Sequence, residues 1–91
     1  MLAQKKLAFV KVRYQGTVAK VVGFAVEDVV LEEELRFCYV LHLLFQERPE
    51  IPQAFPPGVL GFTVNGEAPQ CETPVRGGDV IVFMVDEERV N

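Results

Sequence analysis

Cys38 and His42 stand four residues apart, a spacing that puts two side chains on one helix face, and a thiolate beside an imidazole could begin a zinc site. Structural zinc wants four ligands, and the only other cysteine or histidine is Cys71, remote in sequence. No metal site is expected. The two cysteines form neither a C-x-x-C pair nor a disulfide framework, and the expected elements do not demand that they meet, so reduced thiols are expected. No cluster of Lys or Arg beside either one would lower its pKa and make it a nucleophile. The carboxylate runs Glu32 to Glu34 and Asp86 to Glu88 could supply acid and base pairs, but charge runs at element ends are usually solvated. Cutting after Gly77-Gly78 would expose a diglycine end. That cut would also delete Val80 to Val85, at roughly 2–5 kcal/mol per buried side chain against the ~5–15 kcal/mol that holds a domain folded. Gly77 and Gly78 are therefore read as turn glycines. No catalytic, cofactor-binding or metal-binding residue is assigned, and the chain is not read as an enzyme.

The 91 residues, 49% of them hydrophobic, are read as one domain spanning 1–91, with 1–6 and 86–91 as flexible ends. Acidic residues outnumber basic ones 13 to 9, which speaks against nucleic acid or an anionic membrane as partner and favours docking on a basic protein surface. The opening residues show neither a signal peptide nor a membrane span, so a cytoplasmic protein is expected.

Leu7 to Tyr14 alternates, with Ala8, Val10, Val12 and Tyr14 on one side and Leu7, Phe9, Lys11 and Arg13 on the other, as in a half-buried strand. After a turn of irregular or helical backbone through Val18 to Gly23, Val26 to Leu31 reads as a second strand, with Val29 and Leu31 towards the core. The spacing of Phe37, Val40, Leu41, Leu44 and Phe45 predicts an amphipathic helix, ended by Pro49. The three carboxylates Glu32 to Glu34 would lie near its positive dipole end. Pro49, Pro52, Pro56, Pro57 and Gly58 predict a stiff surface loop without regular structure. A strand through Leu60, Phe62 and Val64 turns at Asn65-Gly66, Glu67 to Glu72 supplies a short edge strand, and the apolar run Val80 to Val85 forms a central last strand. This order predicts an α+β roll of the β-grasp, or ubiquitin-like, type: a mixed four- to five-stranded sheet packed on one main helix.

Three local patterns resemble the small sulfur-carrier family that includes the molybdopterin synthase small subunit (MoaD) and the thiamine-pathway carrier (ThiS). They are Val12-Arg13-Tyr14-Gln15-Gly16-Thr17 with Gly23 behind it, then the helix end Gln46-Glu47-Arg48-Pro49-Glu50, then Val64-Asn65-Gly66-Glu67 followed by Thr73-Pro74-Val75-Arg76-Gly77-Gly78-Asp79-Val80. The likeness runs from about Val10 to Val85. It implies a carrier that an ATP-using enzyme adenylates on a terminal glycine and a sulfur donor loads. Here Asp86-Glu87-Glu88-Arg89-Val90-Asn91 stands where that glycine tail would run, so no catalytic glycine is carried over and a non-enzymatic, protein-binding role is expected. The expected partner is a larger protein, an adenylating enzyme or a pterin-synthase-like subunit, and a second copy of the chain is the other candidate. Ile81, Phe83 and Val85 form one face of the last strand and Val80, Val82 and Met84 the other, and whichever set turns away from the helix makes an apolar patch that a partner, a second copy or the Pro-rich loop would cover. The expected interface is Phe9, Lys11, Arg13, Phe83, Val85, Asp86, Glu87 and Glu88. An alternative is a ligand-binding regulatory module similar to the TGS domain, another β-grasp with like patterns at Val64-Asn65-Gly66 and Gly77-Gly78-Asp79.

Overall fold

The computed structural model describes residues 7–56 and 58–85. Strand β1 (Ala8–Tyr14) alternates strictly between buried and exposed positions, as its sequence does. Helix α1 (Gly16–Val22) drops Val18 into the core and stops at Gly23, whose φ of 99° lets its N–H return to the Ala19 carbonyl. Strand β2 (Val26–Leu31) then runs antiparallel to β1, with Leu31 buried and Val29 half-buried. Strand β6 (Val80–Val85) lies parallel to β1 on its other side and antiparallel to β4 (Leu60–Val64), giving the sheet order β2-β1-β6-β4. The apolar last strand is central, as expected.

Helix α2 (Phe37–Glu47) lies across one face and buries Phe37, Val40 and Leu44, with Leu41 and Phe45 at the margin of the core. It carries no side-chain cap. Its first amides are met instead by backbone: Phe37 N–H donates to the Thr73 carbonyl and Cys38 N–H to that of Cys71. The carboxylates expected at its dipole end are held off by the two-residue strand β3 (Leu35–Arg36), and Glu34 pairs with Arg76 at 2.6 Å.

Three further expectations are corrected. The proline-rich stretch contains a short helix, α3 (Glu50–Ala54), that buries Ile51 and sets Phe55 in the core. Prolines fit there because the first helical amides need no intrahelical acceptor; the ladder starts with Gln53 N–H to the Pro49 carbonyl. Glu67 to Glu72 is not a strand. The Asn65-Gly66 turn closes through a single Val64–Glu67 bridge, and the returning strand is β5 (Pro74–Val75), which pairs with β3. That pairing lays the loop carrying Cys71 over the start of α2, and Cys38 and Cys71, 4.8 Å apart at Cα, form a disulfide in place of two free thiols. No helix among the described residues is long and apolar enough to cross a membrane.

Candidate docking face

β1 contributes Phe9, Lys11 and Arg13 to the sheet face that turns away from α2, and all three are exposed. The register extends this surface sideways. Phe9 stands opposite Val30, Lys11 is flanked by Asp28 and Val80, and Arg13 by Val26 and Val82. Phe9 is 59% exposed, Val30 53% and Leu7 52%, while Val80, Val82 and Met84 are half-buried at the centre. The result is an apolar surface crossed by a loose ion pair, Lys11–Asp28 at 3.7 Å. Such a surface can bury area against another protein, and its described residues offer no set of convergent reactive groups.

Two expected members of the face lie elsewhere. The parallel register places Phe83 beside Tyr14, on the inward side, where it is fully buried against the rings of Tyr14, Phe62 and Phe45. Val85, two residues on, packs against the same core. A side-chain period of two makes Val80, Val82 and Met84 the outward set, and the alternation within β1 fixes which set that is once the register is known. Asp86, Glu87 and Glu88 lie outside the described residues. Val26 and Val30 join the face beyond the expected set, and the signal for them is their alternation with Val29 and Leu31, which point towards the core.

A polar group on the inner side was also missed. The Tyr14 hydroxyl donates to Glu27 Oε2, and Arg48 grips the same carboxylate with both Nε (3.1 Å) and Nη2 (2.7 Å). The Arg48 guanidinium also lies over the Phe24 ring, 4.9 Å from its centroid. The Arg48 hydrogen bonds hold the Glu27 carboxyl below its ordinary value, helped by the Tyr14 hydrogen bond and against the opposing effect of burial. Burial, then the hydrogen bond and charge of Glu27, push the Tyr14 phenol up; the same carboxylate raises Arg48. All three groups are held in a single protonation state near neutrality, which suits a clamp better than a proton relay.

The family-like motifs prove to be architectural. Asn65 Nδ2 donates to Asp79 Oδ1 (2.9 Å), Asn65 Oδ1 accepts from Val80 N–H (2.9 Å), and Asp79 Oδ2 accepts from Arg76 N–H (2.8 Å). Gly78, at φ 90°, turns the chain so that its own N–H reaches the Phe9 carbonyl. These residues latch the entry of β6 to the end of β4. Cys38 is committed to its disulfide, and His42 stacks on Tyr39.

No protein-family model matches the chain, and no curated protein matches it. Solved structures do. The small archaeal modifier protein 1 of Haloferax volcanii superposes with a TM-score of 0.74 at 18% identity, over 86% of this chain and 97% of that one. A putative molybdopterin converting factor, subunit 1, from Pyrococcus furiosus gives 0.76 at 18% identity, over 86% of this chain and 97% of that one. The small archaeal modifier protein 1 from Methanosarcina acetivorans gives 0.69 at 19%, over 88% and 94%. The chain therefore has the ubiquitin-like β-grasp fold of these MoaD-like and small-modifier structures, as its strand order and clamped helix already require.

Proposed function

We propose that the chain, taken as one β-grasp domain over residues 1–91, is a MoaD/ThiS-like docking subunit of sulfur-carrier or cofactor-biosynthesis type. It binds a larger protein, an adenylating enzyme or a pterin-synthase-like subunit, through the outer face of its sheet and performs no catalysis itself. The observation that carries this reading is the apolar patch of Leu7, Phe9 and Val30 beside half-buried Val80, Val82 and Met84, since contiguous exposed apolar surface of this kind marks an interface. The fold likeness to MoaD-like and small-modifier proteins supports the class of partner. The reading places the protein in the cytoplasm, where the Cys38–Cys71 bond must withstand the thiol pool; alkylation on lysis followed by mass spectrometry reads its state.

The test is affinity capture from the source cells with the protein and with its Phe9→Ser variant as baits. The wild type is expected to recover an adenylating enzyme or a pterin-synthase-like subunit, and Phe9→Ser to lose it while melting normally. Recovery of neither enzyme, or equal recovery by both baits, would sink the reading. Intact mass of the native protein separates docking from carriage, because exchange of a terminal oxygen for sulfur adds about 16 Da.

A further inference from the structure

The second surface with unspent binding capacity is the free edge of β2. Tyr14 N–H donates to the Ala25 carbonyl at 2.7 Å, so the β1–β2 register makes Val12–Glu27, Val10–Val29 and Ala8–Leu31 the hydrogen-bonded pairs. The N–H and C=O groups of Val26, Asp28 and Val30 consequently point away from β1, and among the described residues no strand pairs with that edge. Alongside it runs a groove of about 370 Å³ between β2 and α2, with Val29, Val40, Leu43 and Leu44 in its lining. Edges left open like this are templates for another strand.

Charge decides what kind of strand. The groove is lined by three carboxylates, Glu27, Asp28 and Glu47, against one guanidinium, and that guanidinium, Arg48, is already engaged by Glu27. Glu47 is exposed, Asp28 is exposed and only loosely paired with Lys11 at 3.7 Å, and Glu33 adds another exposed carboxylate just beyond Leu31. A second copy of the chain is a poor occupant. Two β2 edges related by a two-fold axis near Asp28 would set Asp28 against Asp28 and bring the acidic rims together. An added strand with alternate apolar side chains directed into the groove and Lys or Arg at its flanks satisfies the backbone, the lining and the rim at once.

We propose that β2 and α2 form a site for an extended peptide with basic flanks, bound by strand addition to β2. The site adjoins the docking face and shares Asp28 and Val30 with it, but the groups that would bind the added strand are edge backbone atoms and the α2-facing groove, which the docking face does not use. Its backbone hydrogen bonds would supply affinity, and the acidic rim would select the partner and speed its arrival.

The probe is a synthetic peptide, acetyl-Lys-Thr-Val-Ile-Val-Arg-Lys-amide, titrated into the labelled full chain and followed by amide chemical shifts. Shifts confined to 26–31 and 43–47 are expected, weakened at least about tenfold when alternate peptide amides are N-methylated or when Lys and Arg are replaced by Glu. Val30→Pro removes an outward N–H without touching a β1–β2 bond and is expected to cost about tenfold, whereas Val30→Thr keeps that N–H and stays within about twofold. Should Val30→Pro fail to fold, the N-methylated peptide poses the same question to the unaltered protein. The proposal falls if the basic peptide gives no shifts at about 1 mM, if N-methylated or acidic peptides bind equally, or if the shifts map to Phe9, Lys11 and Val82. A dimer through β2, seen by sedimentation and abolished by Val30→Pro, would also overturn it.

Discussion

Arg13 and Tyr14 are neighbours in the chain and lie on opposite sides of the sheet. Tyr14 is buried, edge-on to Phe24 and Phe83, with its hydroxyl committed to a carboxylate that Arg48 already holds. Arg13 stands exposed among Val26 and Val82. On the inner side, polar atoms are partnered: among the described residues, no buried side-chain nitrogen or oxygen lacks a hydrogen bond. On the outer side, large apolar groups remain in contact with water and the charges are held loosely. The inner face is thus specified by its own chain, while the outer face carries the exposed apolar surface on which the proposed docking rests.

The comparison breaks most visibly at two phenylalanines. Phe83→Ala should cost about 3–5 kcal/mol, because the ring is fully buried among three others, and this approaches the whole stability expected of so small a chain. Phe9→Ala, on the outer face, should stay within about 0.5 kcal/mol. Chemical denaturation midpoints of the two variants decide it. A large loss at Phe9 would mean that the outer face is closed within the chain itself.

The disulfide comes next. Replacing both cysteines, as Cys38→Ser with Cys71→Ser, should lower stability by about 3–4 kcal/mol, since the bond closes a loop with a sequence separation of 33. The loss should appear as a lower melting temperature, while binding through Phe9 persists below the transition. Loss of docking at temperatures where the variant remains folded would show that the loop of Cys71 shapes the outer face too.

Arg48→Met should cost about 1.5–3 kcal/mol, the range for a charge-assisted hydrogen-bonded pair whose removal strands a half-buried carboxylate. Its pH signature has a definite sign. The folded carboxyl of Glu27 lies below the unfolded value of 4.5, so its contribution is complete above that pH and is lost as the pH falls through the folded value. The Tyr14 phenol is raised above 10.0, so its contribution is present below that pH and is lost as the pH rises further. Unfolding free energies measured in acid should therefore fall more steeply in the wild type than in Arg48→Met. Equal acid slopes would remove the clamp from the account.

What the sequence made legible follows the range of the signal. The alternation of β1, the 3.6-residue spacing of α2, the Asn65-Gly66 turn and the apolar run of β6 are local, and each became the expected element. The misses need distant partners. Cys38 meets Cys71 only because β3 and β5, two residues each, happen to pair, and Tyr14, Glu27 and Arg48 converge from three elements. The inward place of Phe83 is invisible in the sequence because choosing between the two faces of an all-apolar strand requires its register to β1. In α3, proline density points to a loop, yet Pro49 and Pro52 occupy positions where a missing N–H costs nothing.

The smallest effect is also the sharpest reading of the outer face. Lys11 and Asp28 approach to 3.7 Å with side chains 46% and 73% exposed, and an ion pair so open to water contributes about 0.2–1 kcal/mol at most. Lys11→Met should therefore leave the denaturation midpoint almost unchanged, and its small effect should vanish in high salt because the pair is screened. The same substitution removes the cation beside Asp28 and leaves that carboxylate free for a basic partner at the β2 edge, so peptide binding there should hold or tighten. A stability loss well above about 1 kcal/mol would place Lys11 in a drier setting than its exposure implies. The outer face would then belong with the inner one, as surface the chain has already closed.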